Sequence, residues 1–335
     1  MSVLIVSQDE VPVLLPMHEC IDAMAEAMKA LARGQALLPL RQMMPLPGGN
    51  SLLALMPSYL ATVQALGVKA ITVIPGNEGT ELDAHQGAVL LFEAERGRLM
   101  GIFDATSITA IRTAAVSGLA TRLLAKDDAG DLAILGSGTQ ARTHLEAMKV
   151  VRDLRRVRVW SRTDERARSF AETQSEAQGL RIEAVGSPEK AVRDADLVCT
   201  TTSAREPILH GRCLSPGAHV NAVGFAGPNG RELDAEAVAR SRLFIDRRES
   251  CMNEAGDFLL ARAEGAVGDE HIAGELGEVL IGKVDGRAGG EEITLFESLG
   301  LAIEDLAAAN HIYGRASQGR AGTWLELGGR RQEGT

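Results

Sequence analysis

Aromatic residues are scarce in this chain. They make up 3% of its 335 residues, and small and aliphatic side chains dominate instead. That composition suits an α/β protein whose helices pack closely on a sheet. Basic residues are also in deficit, with 35 Lys and Arg against 45 Asp and Glu, for a formal charge of −10. Such a balance argues against non-specific nucleic-acid binding, while local basic groups can still hold an acidic substrate. The four cysteines, Cys20, Cys199, Cys213 and Cys251, form no paired metal-ligand spacing. They read as buried free thiols of a reducing, cytoplasmic setting, and no metal site is expected. No apolar run of about 18 residues occurs, so no membrane span is expected. Residues 1–10 lack a basic flank and a long apolar core, so no signal peptide is expected there. Repeats and low-complexity tracts are absent. The length allows two domains with cores of their own.

What stands out is the run Asp131-Leu-Ala-Ile-Leu-Gly136-Ser-Gly138-Thr-Gln-Ala141. A short apolar strand leads into a glycine turn and a helix start, the order a dinucleotide site requires. Gly136 permits a sharp turn, Gly138 leaves room for a pyrophosphate, and Ala141 lets the helix approach the sheet. The helix start, with Thr139 and Gln140, offers backbone N–H groups and the positive end of the dipole to phosphate. The next strand ends in Ser161-Arg162-Thr163. An NAD site places Asp or Glu near this point to bind the ribose 2′-hydroxyl. Ser and Arg suit a 2′-phosphate, so NADP(H) is the preferred cofactor, with NAD(H) the alternative.

Strands are expected at 157–160, 182–185, 196–202, 219–223 and 243–246. Their near-continuous apolar character indicates a parallel sheet covered on both faces. The fold class is therefore α/β, a doubly wound Rossmann-type nucleotide domain at 121–304. An α+β domain for substrate binding and dimerisation is expected at 1–120 with 305–335. In it Ile21, Met24, Met28 and Leu31 share a helical face closed by Gly34. Extended segments are expected at 51–56, 68–74 and 87–92, and helices at 107–124 and 294–308. The Gly- and Arg-rich tail after about Gln318 reads as partly mobile.

Several segments together resemble the ornithine cyclodeaminase/mu-crystallin family: Pro39-Leu-Arg41, Leu55-Met56-Pro57, Gly67-Val-Lys69, Ala110-Ile-Arg112-Thr113, the loop at 136–141, Glu254-Ala-Gly256-Asp257, Gly274-Glu-Leu-Gly277, and Ile293-Thr-Leu-Phe-Glu-Ser298-Leu-Gly300-Leu-Ala-Ile-Glu-Asp305-Leu. They follow the family order over about nine-tenths of the chain. The resemblance implies a homodimer that binds a nicotinamide cofactor and a small amino- or imino-acid substrate. It implies that Arg41, Lys69 and Arg112 hold the substrate carboxylate, with Lys69 and Arg112 also catalytic. Guanidinium groups grip a carboxylate with paired N–H bonds, and Lys adds a point charge. By the same resemblance Thr113, Thr201, Thr202, Ser203, Val223, Gly224, Ser298 and Gly300 line the cofactor. His85 belongs to a similar loop near the pocket.

Two departures bear on the reaction. The cyclodeaminase pattern has a Glu just before Leu-Met-Pro, and here Ala54 stands there. It has an Asp after the fifth strand, and the alignment puts Ala226 or a neighbour at that place. Glu232 and Asp234 lie beyond the turn and read equally as helix-start residues. A positioned acid or base is worth roughly 10²–10⁴-fold in rate, so the cyclodeaminase cycle lacks support. Reduction of a cyclic ketimine carboxylate asks less, because the cofactor carries the hydride. The expected activity is an NAD(P)H-dependent imine reductase that makes L-proline or L-pipecolate. Ornithine cyclodeaminase, an alanine dehydrogenase-like enzyme and a non-catalytic NADPH-binding protein are the alternatives.

Overall fold

The computed structural model describes residues 2–48, 51–77, 80–224, 227–319 and 321–329. Two compact units divide the chain, Met1–Arg112 with Leu301–Thr335, and Thr113–Gly300. None of the described helices is long and apolar enough to cross a membrane.

The first unit is a mixed sheet under helices. Its strands are β1 (Ser2–Val6), β2 (Ala36–Leu37), β3 (Gln42–Pro45), β4 (Leu52–Leu60), β5 (Ala65–Val73), β6 (His85–Glu93), β7 (Leu99–Asp104) and a C-terminal strand, Thr323–Glu326. From that last strand the order runs β1, β7, β6, β5, β4, β2, with β3 also paired to β4. Strands β4 to β7 form an antiparallel meander, and β1 lies parallel to β7. Alternate residues of β4 (Ala54, Met56, Ser58, Leu60) and β5 (Ala65, Gly67, Lys69, Ile71) are buried, the period of a sheet with one face covered. Helix Ala302–Gly319 covers that face and also packs on helix Met17–Ala32. Ile21, Met24 and Met28 are buried as the sequence suggests, and Gly34, at φ 70°, closes the helix. Pro57 falls between the stretches of β4 that pair with β3 and β2, so its missing N–H breaks no ladder there.

Part of the tail is a strand. Residues 323–326 pair antiparallel with β1, and Trp324 meets Tyr313 edge to face with ring centroids 6.0 Å apart. Thr, Trp and Leu favour a strand despite the glycines around them.

The second unit is an eight-stranded sheet in which every pairing is parallel, as a doubly wound fold requires. Its strands are β8 (Asp131–Leu135), β9 (Arg156–Trp160), β10 (Ile182–Ala184), β11 (Leu197–Thr200), β12 (His219–Ala222), β13 (Ser241–Ile245), β14 (Ile272–Glu275) and β15 (Ile293–Glu297). The order is β10-β9-β8-β11-β12-β15-β13-β14. Chain direction across the sheet reverses between β8 and β11, which creates a crevice at their carboxyl ends. Residues 294–297 are not helical. They form β15 in the middle of the sheet, every residue buried, and the helix begins only at Ala302. Ile, Thr and Phe in a five-residue apolar run favour a strand, and Gly300, at φ 77°, separates it from the helix.

Gly67 tests the close approach of helix and sheet in the first unit. A Cβ there would stand 2.8 Å from Leu306 Cδ1 and 3.3 Å from the Leu90 carbonyl. Gly67→Ala is expected to cost about 1–3 kcal/mol in denaturant unfolding with the m-value unchanged.

Candidate active site

In the first unit, β5 and two helices bring buried charges together. Lys69 projects from β5 towards helix Ala302–Gly319, and its Nζ lies 2.8 Å from Asp305 Oδ2. Arg112, on helix Ala105–Leu124, donates from Nε to Asp305 Oδ1 at 3.0 Å and from Nη1 to Glu304 Oε2 at 2.7 Å. All four side chains are buried, with relative exposures of 5% or less. Thr109 Oγ1 is 3.5 Å from Lys69 Nζ, at the limit of a hydrogen bond. Burial lowers the Lys69 pKa to about 8; Asp305 opposes that shift, while the charges of Arg112 and Arg41 add to it. Around Arg112, desolvation is outweighed by the two carboxylates, which hold the guanidinium charged. Attraction to Arg112 and Lys69 keeps the Asp305 carboxyl below its usual range despite burial.

Lys69 and Arg112 thus share Asp305, and the charge of Arg41 acts on Lys69. Glu304 and Asp305 are the partners that the sequence reading left out of the site. Their signal was two acids inside the apolar run Leu301-Ala-Ile-Glu304-Asp305-Leu-Ala-Ala-Ala. Acids buried in such a run need cations, backbone N–H groups or a bound proton to offset their charge. Ala54 lies on the same face of the sheet: Met56 pairs directly with Lys69, and Ala54 with Ile71. A carboxylate at residue 54 would therefore face the side of the sheet that carries Lys69, and Ala54 supplies none. Ala226 and its neighbour Phe225 lie outside the described residues. His85 stands at the exposed start of β6, where its carbonyl accepts a hydrogen bond from Thr106 Oγ1.

In the second unit the glycine loop has the expected geometry. Gly136 adopts φ 127°, and a Cβ there would lie 2.5 Å from Thr201 Oγ1. A Cβ at Gly138 would meet nothing within 4 Å, so the approach to the helix start is open. Gly138 is the N-cap of helix Thr139–Val151, and Ala141 is wholly buried beneath it. The first N–H groups of such a helix have no partner within it. Gln140 Oε1 and Ser298 Oγ are buried without a hydrogen-bond partner, and buried polar atoms of this kind suit a polar ligand. Glycine turn, open helix start and orphaned oxygens together fit a dinucleotide.

Ser161, buried at the end of β9, accepts a hydrogen bond from Ser137 Oγ at 2.9 Å; Arg162 and Thr163 beside it are exposed. Thr201 donates to the Leu135 carbonyl at 3.1 Å, tying β11 to the glycine turn. Ser203 is exposed, and Val223 and Gly224 are half-buried past β12. Thr113 is buried in the middle of helix Ala105–Leu124, which excludes a helix-start role for its hydroxyl.

Glu232 and Asp234 separate clearly. Asp234 is a true N-cap that accepts from Ala237 N–H at 2.8 Å. Glu232 is fully buried and accepts from Thr202 N–H at 2.7 Å, Thr202 Oγ1 at 2.5 Å and Gly224 N–H at 2.8 Å. Asp257, Glu297 and Asp246 are buried in the same unit. Burial raises Glu232 to about 7 and Asp257 to about 6. Burial, reinforced by its acidic neighbours, holds Glu297 well above the ordinary range. Asp257 accepts from the N–H groups of Glu232 and Leu233, which favours its charged form and leaves the shared proton on Glu297.

The ornithine cyclodeaminase/mu-crystallin family matches residues 1–320 of this chain. The ketimine reductase mu-crystallin of Mus musculus is 41% identical over 287 residues, covering 86% of this chain and 88% of that protein. A Δ1-pyrroline-2-carboxylate reductase of Bacillus cereus is 35% identical over 325 residues, covering 97% of this chain and all of the other. Among solved structures, the Δ1-pyrroline-2-carboxylate reductase of Thermococcus litoralis in complex with NADH and L-proline superposes with a TM-score of 0.93 at 37% identity, over 96% of this chain and 99% of that one.

The buried acids generate a stability test. Each binds its proton more tightly folded than unfolded, so the stability it contributes is present at low pH and lost as pH rises through the raised values, about 6 for Asp257 and about 7 for Glu232. Wild type and Glu297→Gln are expected to have similar stability near pH ~4, with the Gln variant becoming progressively the more stable as pH rises above the ordinary carboxylate range. Parallel melting curves at every pH would contradict this assignment of the proton.

Proposed function

The chain belongs to the ornithine cyclodeaminase/mu-crystallin family, and from that premise we propose that it reduces a cyclic ketimine carboxylate with a nicotinamide cofactor. Δ1-Pyrroline-2-carboxylate would give L-proline, and Δ1-piperideine-2-carboxylate would give L-pipecolate. The observation that carries this reading is the buried Lys69–Asp305–Arg112 group on a sheet face where Ala54 offers no acid. Those cations suit a small carboxylate, and the missing acid weighs against the proton transfers of cyclodeamination.

In this reading the first unit binds the substrate and the second binds the nucleotide. Gly136, Gly138, Thr139, Gln140 and Ala141 form the pyrophosphate turn. Ser161, Arg162 and Thr163 hold the adenosine ribose, and a Ser-Arg pair in place of an acid favours NADPH over NADH. Thr113, Thr201, Thr202, Ser203, Val223, Gly224, Ser298 and Gly300 line the nicotinamide half. When bound, the reduced nicotinamide supplies hydride to the imine carbon. Arg41 and Arg112 orient the substrate carboxylate, and Asp305 fixes both Lys69 and the edge of Arg112. Charged Lys69 holds a proton at Nζ for the imine nitrogen, so each turnover consumes one hydride and one proton. A second copy of the chain is the proposed partner of the first unit, whose sheet exposes Leu37, Met43, Met44 and Leu66.

Purified protein is expected to oxidise NADPH with Δ1-pyrroline-2-carboxylate and to release no ammonia from ornithine with NAD. Because Lys69 is charged only below about pH 8, kcat/KM is expected to fall as pH rises through that value. Lys69→Met is expected to lower kcat/KM by roughly 10²–10⁴-fold. Unchanged turnover in that variant would remove Lys69 from the mechanism, and ammonia with proline from ornithine would overturn the reductase reading.

A further inference from the structure

The loops that follow β11, β12 and β15 come from separate parts of the chain, yet two buried carboxylates clasp them. Glu232 spans the first two. One of its oxygens takes the N–H and hydroxyl of Thr202, the other the N–H of Gly224. Thr202 Oγ1 in turn accepts the Ala204 N–H at 3.1 Å, so the clasp extends along the β11 loop. Asp246 serves the third loop. Its Oδ2 accepts from Leu299 N–H at 2.8 Å and Gly300 N–H at 3.0 Å, while Oδ1 accepts from Arg247 N–H at 2.7 Å. The Gly224 approach is tight: a Cβ there would stand 2.5 Å from Glu232 Oε2 and 2.2 Å from the Thr202 carbonyl. Among the described residues no group of His, Cys, Asp and Glu is placed to hold a metal ion, so these acids have backbone rather than metal to serve.

A carboxylate that accepts several N–H groups is worth more than neutral acceptors in the same place, because charge-assisted hydrogen bonds are the stronger kind. It is also more exacting. An amide in its place would turn an N–H donor towards one of the donors it now satisfies. The clasped loops all lie on the β11–β12–β15 side of the switch point. In a doubly wound fold that is the second mononucleotide half, opposite the half built from β8, β9 and β10.

We infer that Glu232 and Asp246 are positioning residues for the nicotinamide half of the cofactor, acting through the backbone of Thr202, Gly224, Leu299 and Gly300. This rests on the nucleotide reading above and adds to it a division of labour. The glycine turn and β9 hold the adenosine diphosphate half whatever the state of the clasps, and the clasps set the affinity of the other half.

The test compares full-length wild type, Glu232→Gln and Asp246→Asn by calorimetric titration with NADPH, NADH and ADP, alongside melting temperature. Glu232→Gln is expected to weaken the preferred dinucleotide about tenfold, the effect of one buried donor left unsatisfied. Its affinity for ADP is expected to equal that of wild type. Asp246→Asn can keep its oxygen on Leu299 and Gly300, so a smaller loss of about threefold is expected, again without change for ADP. The second variant carries the test if the first fails to fold. Equal weakening of ADP and dinucleotide would overturn the inference, since it would mean a general loosening of the unit. Unchanged dinucleotide affinity in both variants would overturn it as well. Wild type that binds none of the three nucleotides would instead overturn the underlying reading.

Discussion

The first unit depends on a buried exchange of charge among Lys69, Arg112, Glu304 and Asp305. Desolvation offsets most of the attraction in such a cluster, so its net contribution to stability is small. Removing one partner would still cost about 3–5 kcal/mol, because it strands a charge. What the arrangement provides is direction. Asp305 receives Lys69 on one oxygen and Arg112 on the other, which fixes both cations relative to the sheet. The rest of the unit follows from it: β5 must place residue 69 on the covered face, Gly67 must let the helix come close, and that helix must carry two acids in an apolar surface.

The second unit handles buried charge differently. Its acids Glu232, Asp246 and Asp257 accept from backbone N–H groups, and burial among like charges holds Glu297 towards its neutral form. Paired opposite charges keep Arg112 and Asp305 ionised, whereas clustered acids are driven towards neutrality. One chain therefore contains two buried polar networks with opposite responses to pH. The network in the first unit loses charge at Lys69 on the alkaline side, and that in the second gains charge on the same side.

Much of the second unit was legible from sequence because short apolar strands ending in Gly, Ser or Thr leave a strong local signature. The turn at Gly136 and the helix start at Thr139 follow from residue chemistry alone. β15 reads as helix in the sequence because Thr294 to Phe296 adjoin a real helix, and a five-residue run is ambiguous in isolation. β14 left little trace, being a four-residue edge strand containing Gly274. At the site, family resemblance marks the cations, while nothing local marks Glu304 and Asp305 as their partners. Ion partners about 190 residues apart have no periodicity that sequence reading can detect. Glu232 was ambiguous for a related reason: proximity to Asp234 suggested a cap, and only the return of β11 and β12 to its side reveals the acceptor it is.

The second unit is inserted within the chain of the first, which leaves after Arg112 and returns at Leu301. During synthesis β1 emerges before the second unit, but its neighbour Thr323–Glu326 and the covering helix Ala302–Gly319 emerge only after it. Until then Lys69 and Arg112 have no acids to meet and must remain hydrated, with one face of the meander uncovered. The inserted unit is complete by Gly300 and has every sheet partner it needs. The order of assembly thus departs from the order of translation: the inserted unit can close first, and the segment before it must wait for the segment after it.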